Sequence, residues 1–539
     1  MVDTPTLTEF GLPALVTVGD DVSTTALMRQ RAAEHPGRLY CQYKSAAGSW
    51  IPVTLSQFAD QVTAVAKGLA ALGVARGDSV GLMASTRFEW AVFDFAIMAS
   101  GGVTVPIYPS SSASQVEWIA GDAALKLLIV EMPTTAAAMK NLPGGPRVLA
   151  IDGDAPAVHT LVSAGEEMSD ADLEARTSGA APDDIASIVY TSGTTGNPKG
   201  VELTHRNLVE HALNAAAYPD LHKLTAPGKR ILLFLPLAHV LARHLEILSM
   251  ASGMTLGFSP SPTTLPADLK SFKPHWMLAV PRVLEAFYNT ADARTGGGLK
   301  PRLFRWAADV SRRASAKRQA GRLGPVLAVQ LRIADSLVLH KVREAMGGDL
   351  QYVVSGGARL SPALAHFYSG LGVTVLEGYG LTESSAPATC NPQDAPRVGT
   401  VGLPLPGCTV RIADDGEVLI KGPNVFAGYH DRDDLTAEVL SDGWFATGDL
   451  GSLDSDGYLR ITGRKKEIIV TDVKAHLKVV IAVANEGVSK IEAIRKWRVL
   501  PRELTEAHGE FSASMKVRRK VVLEHFADVF DEIYAAPRR

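Results

Sequence analysis

One short stretch, YTSGTTGNPKG at 190–200, carries the side chains with the clearest chemical purpose. Its glycines allow backbone conformations that gather N–H groups around a concave spot. Its serine and threonines add hydroxyl donors, and Lys199 adds a positive charge. This combination favours the binding of an anion, and of phosphate above all. The alternative is a plain surface turn, although such a turn needs only about two to five residues.

The surroundings of Lys199 distinguish this loop from the common nucleotide P-loop. A P-loop has a Gly-Lys-Ser/Thr sequence that leads into a helix, whereas Pro198 precedes this lysine and Gly200 follows it. The flanking segments IASIVY (185–190) and VELT (201–204) are typical of short strands. The sequence therefore predicts a phosphate-binding loop inside a β-hairpin.

A second glycine cluster follows a predicted strand in YVVSGGARLSP (352–362), and a helix is expected to begin near Ser361. Glycines at the end of a strand let a flat ring lie against the backbone, as nucleotide sites at the carboxyl ends of open α/β sheets require. A tight turn without a ligand is the other interpretation of this cluster.

A third cluster, LEGYGLTES (376–384), places Tyr379, Thr382 and Glu383 after the apolar strand VTVL. Magnesium bound to a triphosphate prefers a few protein carboxylates together with phosphate oxygens. Glu383 is therefore the candidate magnesium ligand.

A fourth cluster is GWFATGDLG (443–451), in which glycines frame Asp449 and predict a turn. A carboxylate in such a turn can accept hydrogen bonds from both hydroxyl groups of a ribose. Taken alone, an ordinary turn aspartate would explain the residue better.

The elements that would hold these clusters alternate between helix and strand patterns. Residues 55–72 carry a helical apolar stripe, RGDSVGLMA (76–84) is typical of a turn followed by a strand, and 88–102 form a helical pattern that ends in glycines. This order predicts an α/β fold with largely parallel sheets covered by helices. Short strands punctuated by Gly, Pro and Asp predict a small β-rich subdomain at about 399–460.

Length and composition define the general class of the protein. A chain of 539 residues is long enough for about three or four domain-sized units. A hydrophobic content of 46% and a net charge of −3 are typical of a globular protein and predict no nucleic acid partner. Cys41, Cys390 and Cys408 lack metal-binding spacing, and the N-terminus lacks a signal-peptide pattern, so we expect a cytoplasmic protein.

Two segments of the sequence indicate whether the protein could span or contact a membrane. Residues 231–237, ILLFLPL, end well short of the roughly 18 apolar residues that a membrane-spanning helix requires, so any membrane contact is expected to be peripheral. Residues 301–320 are rich in Arg and Lys. They form either a solvated helix face or a contact with acidic lipid or with a nucleotide-bearing cosubstrate.

The ordered set YTSGTTGNPKG, SGGA, YGLTE, TGD and ITGRKKE resembles the adenylate-forming (AMP-binding) superfamily of acyl-CoA synthetases, luciferases and peptide-synthetase adenylation domains. The resemblance runs from about Leu55 to Lys520. Within that superfamily, VPIYPSSS, LPLAHV, VPRVLEAFY and EGYGLTE look like the bacterial long-chain fatty acid–CoA ligases. The resemblance implies that the protein activates a long-chain fatty acid with ATP to an acyl-adenylate, and then forms a thioester with the cosubstrate CoA.

The resemblance also implies a division into domains. An N-terminal AMP-binding domain would span 1–463, with the β-rich subdomain inside it. A small, shortened α+β C-terminal domain would span 464–539 and rotate between the two half-reactions about a hinge at Lys466.

Site residues follow from the resemblance position by position. The phosphate loop would comprise Thr191, Ser192, Gly193, Thr194, Thr195, Gly196 and Lys199. Adenine and AMP would be bordered by Gly356, Gly357, Ala358, Gly378, Tyr379, Gly380 and Thr382, and the ribose would be held by Asp449 and Arg464. The residues that act on the reacting groups would be Thr191, Glu383 with Mg²⁺, His239 at the junction of acyl tunnel and nucleotide, and Lys516. Without the family, an apolar-flanked histidine such as His239 is more often a satisfied core residue.

The resemblance breaks after EIIVT (467–471). The family continues there with a Gly-Gly-Lys-Asn-like loop and several strands, whereas this chain reads DVKAHLKVV and reaches Lys516 after a shorter span. An internal deletion is the simplest explanation. Because the absent loop lines the CoA channel in the family, two alternatives remain: an adenylate former without efficient CoA transfer, and a catalytically impaired protein that binds fatty acid and ATP. Chain-length preference and oligomeric state stay open.

Overall fold

The structure is a computed structural model. It describes residues 7–177, 181–191, 197–261, 263–293, 296, 298–465, 519–527 and 529. Contacts between Cα atoms divide the chain into two compact units, Met1–Gly463 and Arg464–Arg539. The nucleotide-binding clusters predicted from the sequence lie in the first unit, apart from Arg464, Lys466 and Lys516.

Strands occur along the whole of the first unit. The first eleven are β1 Glu9–Gly11, β2 Leu39–Lys44, β3 Trp50–Thr54, β4 Ser79–Met83, β5 Val103–Pro106, β6 Leu127–Val130, β7 Arg147–Ala150, β8 Ile185–Thr191, β9 Lys199–Thr204, β10 Arg230–Leu233 and β11 Thr255–Phe258. The others are β12 Trp276–Ala279, β13 Tyr352–Ser355, β14 Thr374–Tyr379, β15 Thr389–Cys390, β16 Leu403–Pro404, β17 Thr409–Ile412, β18 Glu417–Lys421, β19 Gly428–Tyr429, β20 Leu440–Ser441, β21 Trp444–Leu453 and β22 Leu459–Arg464.

Helices separate most of these strands. The first nine are α1 Thr24–Glu34, α2 Leu55–Ala71, α3 Phe88–Ala99, α4 Ala113–Asp122, α5 Pro133–Ala138, α6 Ala157–Ala164, α7 Asp170–Thr177, α8 His205–Ala217 and α9 His222–Thr225. The others are α10 Val240–Ser252, α11 Leu265–Phe272, α12 Pro281–Ala293, α13 Lys300–Gln319, α14 Pro325–Ala334, α15 His340–Ala345, α16 Pro362–Gly370, α17 Asp433–Val439 and, in the second unit, α18 Arg519–His525. Short 3₁₀ turns lie at Pro219–Leu221 and Thr382–Ser384, and a π-helical turn, Asp335–Leu339, joins α14 to α15.

Two large sheets, both mostly parallel, form the centre of the first unit. The nine-stranded sheet has the order β16-β15-β14-β13-β12-β10-β11-β2-β3, and its strands from β14 to β2 are parallel. The seven-stranded sheet has the order β19-β9-β8-β5-β4-β6-β7, and its strands from β8 to β7 are parallel. The predicted α/β fold with parallel-rich sheets is therefore confirmed.

Helix α3 shows how the sequence covers these sheets. Every residue from Trp90 to Ala99 is buried, because the helix is apolar on all sides except at Asp94, which pairs with another buried residue. Helix α2 is amphipathic instead and begins with a capping box between Thr54 and Gln57. Such core helices fix the strand ends at which the predicted site residues lie.

The third sheet is smaller, with strands β1, β17, β18, β21 and β20 paired antiparallel and β22 beside β21. It confirms the predicted β-rich part of the fold. The sequence prediction of a turn around Asp449 is wrong, because Asp449 lies inside the ten-residue strand β21. The glycines mark a bulge there, not a turn: β18 residues Glu417 and Leu419 face Leu450 and Ala446, so the register shifts between them.

Candidate functional site

The phosphate-loop prediction falls on the β8–β9 hairpin. Its two strands pair antiparallel from Ile185 opposite Thr204 to Thr191 opposite Lys199. The predicted hairpin is therefore confirmed, and Thr191 and Lys199 stand at the base of its loop. The loop residues Ser192, Gly193, Thr194, Thr195 and Gly196 lie outside the described residues.

Tyr429 lies between Lys199 and Glu383, the two predicted site residues of opposite charge. The Nζ atom of Lys199 is 5.2 Å from the centre of the Tyr429 ring, and the Tyr429 hydroxyl donates a hydrogen bond of 2.9 Å to Oε1 of Glu383. Burial and the neighbouring Glu383 carboxylate raise the pKa of Tyr429, so its hydroxyl stays protonated and remains a donor at neutral pH. One aromatic ring thus connects the predicted phosphate cation with the predicted magnesium ligand.

Strand pairing explains how Tyr429 reaches this position. The two-residue strand β19 pairs antiparallel with β9, with Tyr429 opposite Val201 and Gly428 opposite Glu202. The sequence analysis assigned Tyr429 no role. Its position depends on a strand contact between residues more than 200 apart, for which the local sequence gives no signal.

The Glu383 carboxylate stands on a tightly constrained turn. The two residues after Ser384 adopt positive φ angles, 54° at Ser385 and 88° at Ala386, and non-glycine residues in this region are concentrated at functional sites. A Cβ atom on Gly380 would lie 2.2 Å from the carbonyl oxygen of Ala386, so only glycine fits there. The backbone N–H of Phe426 donates a 2.9 Å hydrogen bond to the Glu383 carbonyl and anchors the turn from outside.

The two predicted adenine-binding segments meet at one edge of the nine-stranded sheet. Strands β13 and β14 run parallel with Ser355 opposite Glu377, so Gly356 and Gly378 follow side by side. A Cβ atom on Gly356 would lie 3.5 Å from the carbonyl oxygen of Gly378. Gly357 is exposed, with φ of 76°, and Ala358 is exposed beside it. The strand ends present the bare backbone that a flat ring needs.

Asp449 reaches the same region from the small sheet. Its carboxylate is buried, and Oδ2 accepts a 2.7 Å hydrogen bond from the Tyr379 hydroxyl. Thr447 accepts a 3.1 Å hydrogen bond from the Asp449 backbone, and Gly448 has φ of 72°. The bulge in β21 therefore holds the Asp449 carboxylate against Tyr379, next to the Gly380 turn.

Three predicted residues belong to the second unit. Arg464 is exposed at the end of β22. Lys466 and Lys516 lie outside the described residues. The predictions for these three residues therefore stay predictions.

His239 caps the N-terminus of α10, and its Nδ1 accepts a 3.1 Å hydrogen bond from the Leu241 backbone. The ring keeps contact with solvent, yet the atoms packed around it lower its pKa. The imidazole is therefore neutral at pH 7, with its proton on Nε2.

Leu241 connects His239 to an apolar cavity. The cavity measures about 50 Å³ and is lined mainly by apolar side chains. They come from helices α8 to α10 and from β12 and β13, and include Leu241, Leu245, Leu248, Trp276, Leu278 and Val354. Leu241 also lies next to the predicted adenine-binding segment, because its Cδ2 would lie 3.2 Å from a Cβ atom on Gly356. The lining residues are dispersed from 215 to 405, so no local motif could have revealed them.

A buried ionic network lies on the same helix as the cavity wall. Arg243 of α10 makes two 2.7 Å hydrogen bonds to the Asp94 carboxylate of α3, and both side chains are almost fully buried. Burial, with the nearby Asp94 charge, raises the pKa of Glu246 well above its ordinary value. His244, which lines the cavity, packs 4.8 Å from His211, and burial lowers the pKa of both rings.

The residues present fit a magnesium ion that is shared with a nucleotide. Among the residues that the structure describes, no group of three or more His, Cys, Asp and Glu side chains is placed to hold a metal alone. A magnesium ion on a triphosphate needs only a few carboxylates, because phosphate oxygens and water complete its shell. Glu383, with its carboxylate oriented by Tyr429, would supply that donor.

Taken together, the fold and these clusters are those expected of a nucleotide-binding α/β enzyme, with an apolar cavity close to the predicted nucleotide site. The profile of the AMP-binding enzyme family matches residues 28–430. The chain therefore belongs to the AMP-binding enzyme family, and the resemblance stated from the sequence is confirmed.

Similar proteins agree with this membership. The chain is 39% identical to the long-chain-fatty-acid–CoA ligase FadD15 of Mycobacterium bovis, over 98% of this chain and 99% of the relative, and 38% identical to FadD15 of Mycobacterium tuberculosis over the same shares. The first alignment spans 598 positions and so contains gaps in this 539-residue chain, which fits an internally shortened protein.

Two solved structures share the fold. The N-terminal domain of FACL13 from Mycobacterium tuberculosis is 26% identical, with a TM-score of 0.62, and covers 82% of this chain and 100% of that domain. ATP-bound MatB from Rhodopseudomonas palustris is 25% identical, with a TM-score of 0.64, and covers 83% of this chain and 80% of MatB. Within the described ranges, no helix is both long enough and apolar enough to cross a membrane.

Proposed function

We propose that this protein is an AMP-forming long-chain fatty acid–CoA ligase. In the first half-reaction, a carboxylate oxygen of the fatty acid attacks the α-phosphorus of ATP, the bond from that phosphorus to the bridging oxygen breaks, and pyrophosphate leaves. In the second, the sulfur of CoA attacks the acyl carbon of the adenylate, the thiol proton is released, and AMP leaves. Family membership and similarity to ligases over nearly the whole chain support this function.

The observation that carries the proposal is the convergence of Lys199, Tyr429 and Glu383 at the base of the β8–β9 hairpin. Phosphoryl and adenylyl transfer need little covalent participation by the protein, because alignment and charge stabilisation supply most of the rate enhancement. In this proposal Lys199 and the loop from Thr191 hold the β- and γ-phosphates. Glu383 would hold magnesium, which would supply positive charge next to the triphosphate.

The adenosine part of ATP would occupy the edge where β13 and β14 end. Gly356 to Ala358 would pack on adenine, and Gly378 to Gly380 with Thr382 would border AMP. Asp449, positioned by the Tyr379 hydroxyl, would accept the ribose hydroxyls, and Arg464 would assist it. Tyr379 is thus a positioning residue for the Asp449 carboxylate, which would bind the ribose.

The fatty acid would place its carboxylate near His239 and direct its alkyl chain towards the apolar cavity, whose volume of about 50 Å³ accommodates a small part of that chain. Leu241 supports this path, because it lines the cavity and also touches the Gly356 end of β13. A neutral His239 places no full charge beside the incoming carboxylate and offers an Nε2–H donor to it.

The C-terminal domain would supply the remaining groups. Lys516 would stabilise charge on the carboxylate and α-phosphate during adenylation, and Lys466 would act as the hinge. A cytoplasmic location suits ATP and CoA as substrates. A second function, adenylate formation without efficient CoA transfer, is favoured by the short span between Thr471 and Lys516.

One pair of assays tests the proposal. Fatty acid-dependent ATP–pyrophosphate exchange reports the first half-reaction, and AMP release with and without CoA reports the second. A long-chain ligase shows both, with CoA accelerating AMP release. Exchange without CoA-stimulated release would favour the adenylate former, and absence of fatty acid-dependent exchange would contradict both enzymatic functions.

A further inference from the structure

Exposed apolar side chains of this protein are concentrated on one helical hairpin. Of the nine large hydrophobic residues that are exposed in the described part of the chain, six lie between 299 and 337. Singly scattered exposed hydrophobics are normal on protein surfaces, but clustered ones mark sites of interaction. The six are Leu299, Leu303, Val326, Val329, Ile333 and Leu337.

Four of these residues follow one side of a continuous helical run. Helix α14, the π-helical turn and α15 join without interruption from 325 to 345. Val326 is 72% exposed, Val329 54%, and Ile333 and Leu337 46% each. Their spacing of three and four residues puts them along one exposed stripe, while Leu331, Ala334 and Leu339 of the same run are buried.

The same segment is strongly cationic. Residues 299–341 contain ten Lys and Arg but only two Asp and Glu, in a chain whose net charge is −3. The two acidic residues, Asp309 and Asp335, form ion pairs with Arg313 and Arg343. Nine of the ten basic residues are exposed, namely Lys300, Arg302, Arg305, Arg313, Lys317, Arg318, Arg322, Arg332 and Lys341.

Exposed basic residues also belong to the helical run that carries the apolar stripe. Arg332 and Lys341 are exposed on the same helical run as Val329, Ile333 and Leu337. Helix α13, which packs against α14 and is joined to it by residues 320–324, adds the exposed cations of its own outer face. We call the exposed side chains of residues 299–341 the basic–apolar surface.

We propose that the basic–apolar surface docks the protein on an anionic lipid bilayer. A helix whose apolar side is bordered by Lys and Arg lies in the plane of a membrane interface, with its hydrocarbon groups between the headgroups and its cations on acidic lipid. A nucleic acid would match the charge but not the apolar stripe. A second copy of the chain would match the stripe but would bring two surfaces of the same strong positive charge together.

Docking in this way has a functional consequence that goes beyond the proposed reaction. Long-chain fatty acids partition into bilayers, so a protein held there would meet its substrate at the concentration of the membrane. The docking itself depends only on the surface and holds whether or not the protein completes CoA transfer.

Vesicle flotation tests the proposal directly, with the full-length protein and vesicles of phosphatidylcholine alone or mixed with phosphatidylglycerol. We expect binding to the mixed vesicles to exceed binding to phosphatidylcholine by at least about tenfold and to fall as salt rises. Equal binding to both vesicles, or no binding to either, would overturn the proposal.

Two triple variants separate the contributions. Val326→Ser with Val329→Ser and Ile333→Ser removes the stripe, and Arg322→Gln with Arg332→Gln and Lys341→Gln removes three cations. Each is expected to lower binding to the mixed vesicles by at least about tenfold. Matched controls carry Leu15→Ser with Met132→Ser, which are 50% and 47% exposed elsewhere, or Lys126→Gln with Lys140→Gln and Arg147→Gln. These controls are expected to bind as the unchanged protein does.

Two further measurements distinguish a loss of lipid binding from unfolding and from a change of oligomeric state. Thermal unfolding of each variant should match the unchanged protein, since all the substituted side chains are exposed. Light scattering reports the oligomeric state. If the stripe variant dissociates an oligomer while vesicle binding stays unchanged, the surface binds a second copy of the chain and the proposal is wrong.

Discussion

At the scale of single residues, Tyr429 organises two opposite charges. Its ring faces the Lys199 ammonium, and its hydroxyl holds a Glu383 oxygen. Lys199 and Glu383 thus contact opposite parts of one tyrosine, the ring and the hydroxyl. In the proposed function, this arrangement would present both groups to a polyphosphate and its metal ion, which is the preorganisation that charge-stabilised reactions require.

Replacement of Lys199 by alanine should weaken the binding of ATP more than that of AMP. The lysine would contact the β- and γ-phosphates, which AMP lacks, and loss of a charged hydrogen bond costs about 1.5–3 kcal/mol, roughly ten- to hundredfold in affinity. Isothermal titration with both nucleotides measures this difference. Asp449→Asn is the matched comparison, because loss of a ribose contact should weaken both nucleotides alike. Equal losses of ATP and AMP in the Lys199 variant would move that residue away from the phosphates.

Replacement of Glu383 by glutamine should raise the magnesium concentration needed for half-maximal pyrophosphate exchange. The change removes one charge from the metal shell but keeps a similar shape and an acceptor for the Tyr429 hydroxyl. Loss of even an outer partner of a metal site typically costs about 10–100-fold in metal affinity. A magnesium titration that is identical to that of the unchanged protein would contradict the metal role of Glu383.

At the scale of elements, the success of the sequence analysis depended on whether the signal was local. Helix α2 and the β8–β9 hairpin were predicted because the apolar periodicity of the one and the turn residues of the other are local patterns in the sequence. Asp449 was misplaced because a Thr-Gly-Asp sequence is typical of a turn, whereas pairing with β18 holds it in a bulged strand. Tyr429 and the cavity wall were missed because distant segments create them.

The ionic contact between α3 and α10 offers a stability test of this element pair. Arg243→Met would leave the buried Asp94 carboxylate without its partner, which typically costs about 3–5 kcal/mol. Combining it with Asp94→Leu should recover much of that loss, because a matched apolar pair carries no buried charge. Denaturant unfolding of the two single variants and the double variant measures this coupling. A double variant as unstable as the sum of the single variants would contradict it.

His211 in helix α8 should make the free energy of unfolding depend on pH. Burial lowers the pKa of His211 to about 4, from an ordinary value of 6.5. Between these values the unfolded chain binds a proton that the folded chain does not, so stability is lost as pH falls from 6.5 towards 4. His211→Gln should reduce this loss, by up to about 1.4 kcal/mol per pH unit near pH 5. Denaturant midpoints at pH 7 and pH 5 provide the comparison, and equal differences in both proteins would contradict the lowered pKa.

At the scale of the whole molecule, the two half-reactions should depend differently on the shortened C-terminal region. The unit Met1–Gly463 contains the candidate nucleotide, metal and cavity residues that the structure describes, apart from Arg464, so ATP and fatty acid should bind to it. The N-terminal domain of FACL13, a structure similar to 82% of this chain, was crystallised on its own. Binding of ATP by a fragment of residues 1–463, compared with the full chain, checks this independence.

Adenylation should be slow in that fragment but measurable. The fragment lacks Lys516, and loss of one preorganised charge-stabilising group typically lowers the rate by about 10²–10³-fold. Thioester formation additionally needs a loop that the sequence lacks after Thr471, so acyl-CoA production should be impaired even in the full chain. The decisive variant carries a loop and strands typical of the family, inserted after Thr471. Insertion should raise acyl-CoA production more than ATP–pyrophosphate exchange. If the unchanged chain already makes acyl-CoA at a rate that the insertion does not improve, then the short segment is sufficient for CoA transfer.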